Sequence, residues 1–186
     1  MPESVEEFSR AAARWLAEHG EPLTSEEAAA GPGDEVARGE NGFSVAVFHD
    51  LDFEEERALL ADAQRWHRLK ATVGYHAIAE SAEFGGLGLT RDHARAFGAL
   101  ERGYRVPPGH ESFSVTTDLV APTVEAFGTH DQKQRFVAAF RAAELLCCQL
   151  FSEPGAGSDL ANVACRAVRD NDEWVVTGQK VWSSGA

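Results

Sequence analysis

Apolar residues recur at helical spacing through the first three quarters of the chain, then give way to short apolar runs. Val5, Phe8, Ala12, Trp15 and Leu16 fall on one helical face. Ser4 and Glu7 predict a capping box ahead of them, in which the hydroxyl takes an orphan N–H and the carboxylate reaches back. Gly20 ends the run. Gly31 to Asn41 is polar, rich in glycine and charge, and predicts a loop. Asp52 with Glu55 predicts the start of a second long helix, whose stripe of Leu59, Ala63, Trp66 and Leu69–Lys70 stops before Gly74. Its first turn holds Glu54, Glu55 and Glu56 and its later turns Arg65, Arg68 and Lys70, as the helix dipole prefers. Glu83 to Leu89 predicts a glycine-rich turn, and Thr90 caps a helix that fades at Gly103. Residues 111–127 predict a helix bent or broken near Pro122, which has no N–H to give. Gly128 ends it, and Thr129 with Gln132 predicts a further capping box leading into a helix over 130–142.

The pattern changes at Leu145. Leu145–Phe151 is an apolar run of strand length, and Cys165–Arg169, Glu173–Val176 and Gln179–Ser183 follow as further strands. Asp170-Asn171-Asp172 and Thr177-Gly178 separate them and have hairpin-turn composition. The fold class is therefore α+β: an N-terminal all-α helical domain over 1–144, followed by an incomplete antiparallel β domain over 145–186. No strand of five or more residues is expected before 142, and residues 145–184 are expected to be mainly strand. The last run stops at Trp182–Ala186 with neither cap nor closing strand. Three or four strands with an open apolar edge make a poor independent sheet, so the sequence reads as the front part of something longer.

Composition narrows the class. With 44% apolar and 25% charged residues, and 11 Phe, 4 Trp and 2 Tyr, the chain can build a core and is not disordered. The net charge is −13, and the isoelectric point near 4.9 argues against a nucleic-acid partner. Residues 1–60 hold 15 acids and 4 bases, which predicts a solvated acidic helical surface. No run approaches the ~18 apolar residues of a membrane helix, and the acidic N-terminus fits neither a secretory signal nor a transit peptide; the expectation is a cytoplasmic protein. Cys147, Cys148 and Cys165 make a poor disulfide framework and predict buried, reduced thiols. The 7 histidines show no metal-ligand spacing, which favours solvated or capping roles.

The chemistry is concentrated in the last forty residues. Ser152-Glu153-Pro154-Gly155-Ala156-Gly157-Ser158-Asp159 lies between two apolar runs. Its glycines let backbone approach a ligand closely and turn N–H groups toward an anion, and Ser152 and Ser158 add hydroxyls. A dinucleotide-binding glycine loop does not fit, because Leu160 stands at the third glycine position and no helix follows. A P-loop fails for want of Gly-Lys-Ser/Thr.

QLFSEPGAGSDL at 149–160 and EWVVTGQKVWSSGA at 173–186 resemble two signature stretches of the acyl-CoA dehydrogenase family. EFGGLGLT at 83–90 and APTVEAFGTHDQKQRF at 121–136 support the resemblance, and the helical first half is similar to that family's N-terminal α domain. The resemblance implies FAD as cofactor. It implies that Gln149, Phe151, Ser152, Gly157 and Ser158 run along the flavin ring and pyrophosphate, with Ser158 also near the bound thioester. Trp182 would pack on the flavin, and the Ser184 hydroxyl would sit near its reactive nitrogen. Serine stands at 152 and 184, where many members carry threonine; hydroxyl chemistry is retained. A flat apolar wall and donors aimed at the pyrimidine edge are what a flavin needs.

The implied reaction is α,β-desaturation of an acyl-CoA thioester, with electrons passed to an electron-transfer flavoprotein. The resemblance also implies a homo-oligomer, or a complementary chain. The family's catalytic glutamate and part of its flavin site lie in a C-terminal helical bundle beyond these residues. No acid here is assigned the base role; Glu153 matches a turn position and is not nominated. Two further readings remain open: a non-catalytic truncated product or structural subunit that needs a partner chain, and a related flavin oxidase or monooxygenase.

Overall fold

The computed structural model describes residues 4–30 and 52–183. The expected loop at Gly31–Asn41 lies outside the described residues, as does Ser184. Seven α-helices lie among the described residues: α1 (Val5–His19), α2 (Ser25–Ala30), α3 (Phe53–Ala71), α4 (Arg91–Glu101), α5 (Glu111–Ser114), α6 (Ala121–Phe127) and α7 (His130–Arg141). Four strands form two antiparallel pairs: β1 (Glu21–Pro22) with β2 (Tyr104–Arg105), and β3 (Arg166–Asp170) with β4 (Glu173–Thr177). The fold is α+β and rich in helix.

The helix starts follow their local chemistry. Capping boxes at Ser4/Glu7, Asp52/Glu55 and Thr129/Gln132 form as the sequence predicts. Gly20 ends α1 for a packing reason: a Cβ there would lie 2.8 Å from the Tyr104 ring. The first core cluster joins Phe8, Ala12, Trp15 and Leu16 of α1 to Phe97 of α4 and to Ile78. Tyr75 stands edge-on to Phe8 at 5.5 Å and to Trp15 at 5.4 Å. Beside it, Glu101 Oε1 accepts from Trp66 Nε1 (2.8 Å) and from Lys70 Nζ (2.9 Å).

The helix expected to bend or break at Pro122 does neither cleanly. A π-helical turn (Val115–Val120) joins α5 to α6, with the Ala121 N–H bonded to the Thr116 carbonyl. The wider turn accommodates a proline that cannot donate to the helix and whose ring crowds the preceding turn. Behind it, Arg141 is only 4% exposed. Its Nη2 donates to Glu80 Oε2 (2.8 Å) and to Glu125. The Arg141 carbonyl accepts from His67 Nε2 at 2.6 Å, and the His76 ring stands edge-on to His67 at 5.8 Å. His67 and His76 are therefore half-buried members of a polar cluster rather than solvated or capping residues, whereas His93, itself buried, and His110 cap as expected: their Nδ1 atoms accept from the Thr90 and Ser112 N–H groups.

The largest departures follow residue 144. Leu145–Phe151 is not a strand, because no strand among the described residues pairs with it. It is tethered to the helices instead: the Cys147 N–H donates to Thr116 Oγ1 at 2.7 Å, and that hydroxyl donates to the Ser112 carbonyl at 2.5 Å. Gln179–Ser183 is not a strand either; Trp182 has φ 57°, which ends extended backbone. Strand structure in this region is confined to the two five-residue strands β3 and β4, so residues 145–184 are not mainly strand. The Asn171-Asp172 turn joins them; β3 starts and ends one residue beyond the expected run, whereas β4 starts at Glu173 as expected and ends one residue later. Thr177-Gly178 is no hairpin turn. The cysteines are free, but Cys148 is exposed and Cys147 and Cys165 are half-buried, so the expectation of buried thiols fails.

Thr116→Val leaves the Cys147 N–H without its acceptor and should cost about 1–3 kcal/mol in urea unfolding; an unchanged midpoint would show that the tether carries nothing. His76 is held down to about 4, chiefly by burial and then by the positive groups His67, Lys70 and Arg141. A lowered folded pKa means that the unfolded chain binds the extra proton. Stability from this site is thus complete above about 6.5, the ordinary value, and is lost as pH falls toward 4. His76→Gln should flatten the unfolding midpoint across that window; an equally steep profile would assign the effect elsewhere.

Candidate functional site

Pro154 and Gly155 sit at the centre of a tight turn. It is closed by Glu153 N–H to the Ala156 carbonyl (2.8 Å) and Ala156 N–H to the Glu153 carbonyl (3.0 Å). Proline pre-sets the backbone at the second position of such a turn. Closing it folds the Glu153 side chain inward, leaving the residue 8% exposed. A carboxylate at that depth needs donors, and it has three: Ala164 N–H (2.6 Å), Cys165 N–H (2.9 Å) and Lys180 Nζ (2.8 Å). These bonds, with Lys180 foremost, hold its carboxyl down to about 2.

Lys180 makes a second bond, to the Phe151 carbonyl at 2.9 Å. The next residue, Val181, donates its N–H to the Ser152 carbonyl at 2.9 Å. The two stretches singled out in the sequence therefore lie side by side, although 27 residues separate Glu153 from Lys180. At the foot of the β3–β4 hairpin, Gly178 has φ 149°, and a Cβ there would lie 2.6 Å from Cys165 Sγ and 2.8 Å from Cys165 Cα. Only glycine lets the chain turn back so close to β3. An open cleft of about 620 Å³ lies between turn and hairpin, lined by Glu153, Pro154, Gly155, Asn162, Cys165 and Gln179 among others.

Gln149 and Ser152 are half-buried, and Phe151 is exposed. Trp182 is 91% exposed and has a left-handed backbone, a strained state for a bulky aromatic residue. Phe151 and Ser152 lie against Lys180 and Val181, so Trp182 follows directly on that contact. Gly157 and Ser158 are exposed beyond the turn, and no hydrogen bond among the described residues ties them to the second stretch. Neither Gly155 nor Gly157 has a left-handed backbone, and a Cβ on either would meet nothing within 4 Å. Ser183 Oγ is buried without a hydrogen-bond partner among the described residues.

Lys180 escaped the sequence reading. It belongs to a quoted motif, but nothing local announces a partner so far away. No group of three or more metal-ligating side chains gathers among the described residues, and no helix among them is long and apolar enough to cross a membrane.

A helical unit leading through a tight glycine turn into an antiparallel hairpin defines the architecture. Residues 2–144 match the family model for the acyl-CoA dehydrogenase N-terminal domain, and the chain belongs to the acyl-CoA dehydrogenase family. It is similar to acyl-CoA dehydrogenase IpdE1 of Mycobacterium tuberculosis, at 38% identity over 98% of this chain and 42% of that protein. A second relative, acyl-CoA dehydrogenase FadE34 of the same organism, is 58% identical over 66 residues, 36% of this chain and 9% of its own length. Among solved structures, the ChsE4-ChsE5 complex from Mycobacterium tuberculosis matches with a TM-score of 0.51 and 28% identity, covering 98% of this chain and 40% of that one. The chain thus spans about two fifths of the length of the relatives that match it from end to end.

The Gly178 geometry has a measurable consequence. Gly178→Ala places a Cβ against Cys165 and in a backbone region that L side chains avoid, at a cost of about 1–3 kcal/mol. Urea unfolding should show the loss; a fully stable variant would mean that the hairpin foot can open freely.

Proposed function

We propose that this chain supplies the N-terminal helical domain, residues 1–144, and the beginning of the flavin-binding β domain, residues 145–186, of an acyl-CoA dehydrogenase. The proposed reaction is α,β-desaturation of an acyl-CoA thioester, with electrons leaving to an electron-transfer flavoprotein. The observation that carries the reading is the hydrogen bond from Val181 N–H to the Ser152 carbonyl, which joins the two signature stretches.

The residues present fit FAD. Phe151 and Trp182 are large, exposed and apolar where a planar ring needs a wall. Open space beside Gly155 and Gly157 leaves room for close backbone approach, which neither packing nor backbone strain otherwise demands. Ser183 Oγ is a buried hydroxyl in want of a partner. Bound FAD would supply hydride-accepting chemistry. Gln149, Ser152, Gly157, Ser158 and Ser184 would orient it through hydroxyl, amide and backbone donors, Trp182 would cover one face, and Ser158 would also meet the thioester. No carboxylate of this chain is given the base role.

A partner chain or a homo-oligomer belongs to the same proposal. All ten residues of β3 and β4 are exposed, including Val168, Trp174, Val175 and Val176. A bare apolar hairpin is marginal in water and calls for a cover, and the matched ChsE4-ChsE5 structure is a complex of two proteins. A cytoplasmic setting is part of the proposal.

Residues 1–186 titrated with FAD should perturb the flavin spectrum weakly but saturably, and should not desaturate acyl-CoA substrates with an artificial electron acceptor. A flavin spectrum unchanged by the chain would contradict the cofactor assignment. Turnover of about 1 per second or more, an ordinary enzyme rate, would show that a base lies within these residues.

A further inference from the structure

We propose that Lys180 and Glu153 are positioning residues. Lys180, clamped by the Glu153 carboxylate, sets the direction of the Phe151–Ser152 peptide and thereby aims the Ser152 N–H at the cofactor face. The inference rests on the flavin reading above for its ligand, but the clamp itself is a matter of this chain's own geometry.

One ammonium group joins the two stretches. Lys180 Nζ reaches two acceptors, the Phe151 carbonyl at 2.9 Å and Glu153 Oε1 at 2.8 Å. Its side chain is 23% exposed and that of Glu153 only 7%, so the pair is largely withdrawn from solvent. A trans peptide is planar, and its C=O and N–H point in opposite directions. With the Phe151 carbonyl drawn toward Lys180, the Ser152 N–H faces the other way. That N–H has no partner among the described residues, although the Ser152 carbonyl accepts from Val181 and both backbone groups of Glu153 are used in the turn. The Ser152 N–H is thus an unspent donor between two committed carbonyls, that of Phe151 on Lys180 and its own on Val181, beside the exposed Phe151 ring.

The Glu153 carboxylate holds the other end of the clamp. Ala164 and Cys165 N–H groups fix it from just ahead of β3, so its position does not depend on Lys180. Depression of its pKa to about 2 keeps it charged at every ordinary pH. The clamp thus has a fixed anchor and a movable arm, and the two ends should respond differently to substitution. Lys180→Met keeps the length of the arm and removes its donors. It should free the second stretch, with Val181 amide exchange rising about tenfold or more, the scale of a lost charge-assisted hydrogen bond. Ala164 and Cys165 should keep their protection. Glu153→Gln should loosen all three amides, because a carboxamide has one acceptor oxygen where the carboxylate has two. Lys180→Arg keeps charge and donors and should restore most of the Val181 protection.

The test combines amide exchange on residues 1–186 with FAD titration of the same variants, read from the flavin spectrum. FAD should bind Lys180→Met about tenfold or more weakly, with a band shape at saturation unlike that of the parent, and Lys180→Arg should recover the parent band shape. A simple loss of fold would instead expose every amide alike. Val181 exchange that is unchanged in Lys180→Met overturns the clamp. Faster Val181 exchange with an unaltered flavin spectrum and affinity overturns the positioning role and leaves a structural staple. A parent chain that never perturbs the flavin overturns the flavin reading and the cofactor-facing role together, while the exchange arm alone still upholds or overturns the clamp.

Discussion

A single buried carboxylate joins the parts of the candidate site. Glu153 lies at the head of the glycine turn and takes donors from Ala164 and Cys165, just ahead of β3, and from Lys180 in the second signature stretch. Three segments that share no regular secondary structure converge on it. Without it, the hairpin would lose its hydrogen bonds to the turn, because among the described residues β3 and β4 pair only with each other. An anion at this depth is costly unless its acceptor capacity is filled; here the donors also tie down two separate pieces of chain, Ala164–Cys165 and Lys180.

The helical part does a different job, and does it by ordinary means. Caps fix where helices begin, an aromatic cluster packs α1 against α4, and Glu101 ties Trp66 and Lys70 together at its edge. The link to the candidate site is narrow. Thr116, fully buried at the π-helical turn, receives the Cys147 N–H and so directs the chain from α7 toward Gln149. The turn that accommodates Pro122 thereby also sets where the segment leading into the site departs.

What was legible in the sequence was local. A capping box needs residues three apart, so Ser4/Glu7, Asp52/Glu55 and Thr129/Gln132 could be read directly. The β3–β4 hairpin could be read for the same reason, with its turn and both strands inside twelve residues. Leu145–Phe151 is no strand because apolar composition states only what a strand needs, whereas a strand exists by pairing. Gln179–Ser183 failed through Trp182, whose backbone no propensity would place in the left-handed region. The motif stretches were recognisable, but the ion pair between them was not. Lys180 and Glu153 are 27 residues apart, and only the tertiary fold decides that they meet. The same holds for the cluster of His67, His76 and Arg141.

The central claim is that the two signature stretches form one ligand face, and amide chemical shifts of the labelled chain under FAD titration test it most directly. Shifts should appear together in residues 151–158 and 180–183, with a common dissociation constant, while the apolar groove on α3 around Trp66 and Leu69 stays silent. Shifts confined to one stretch, or centred on the α3 groove, would contradict it.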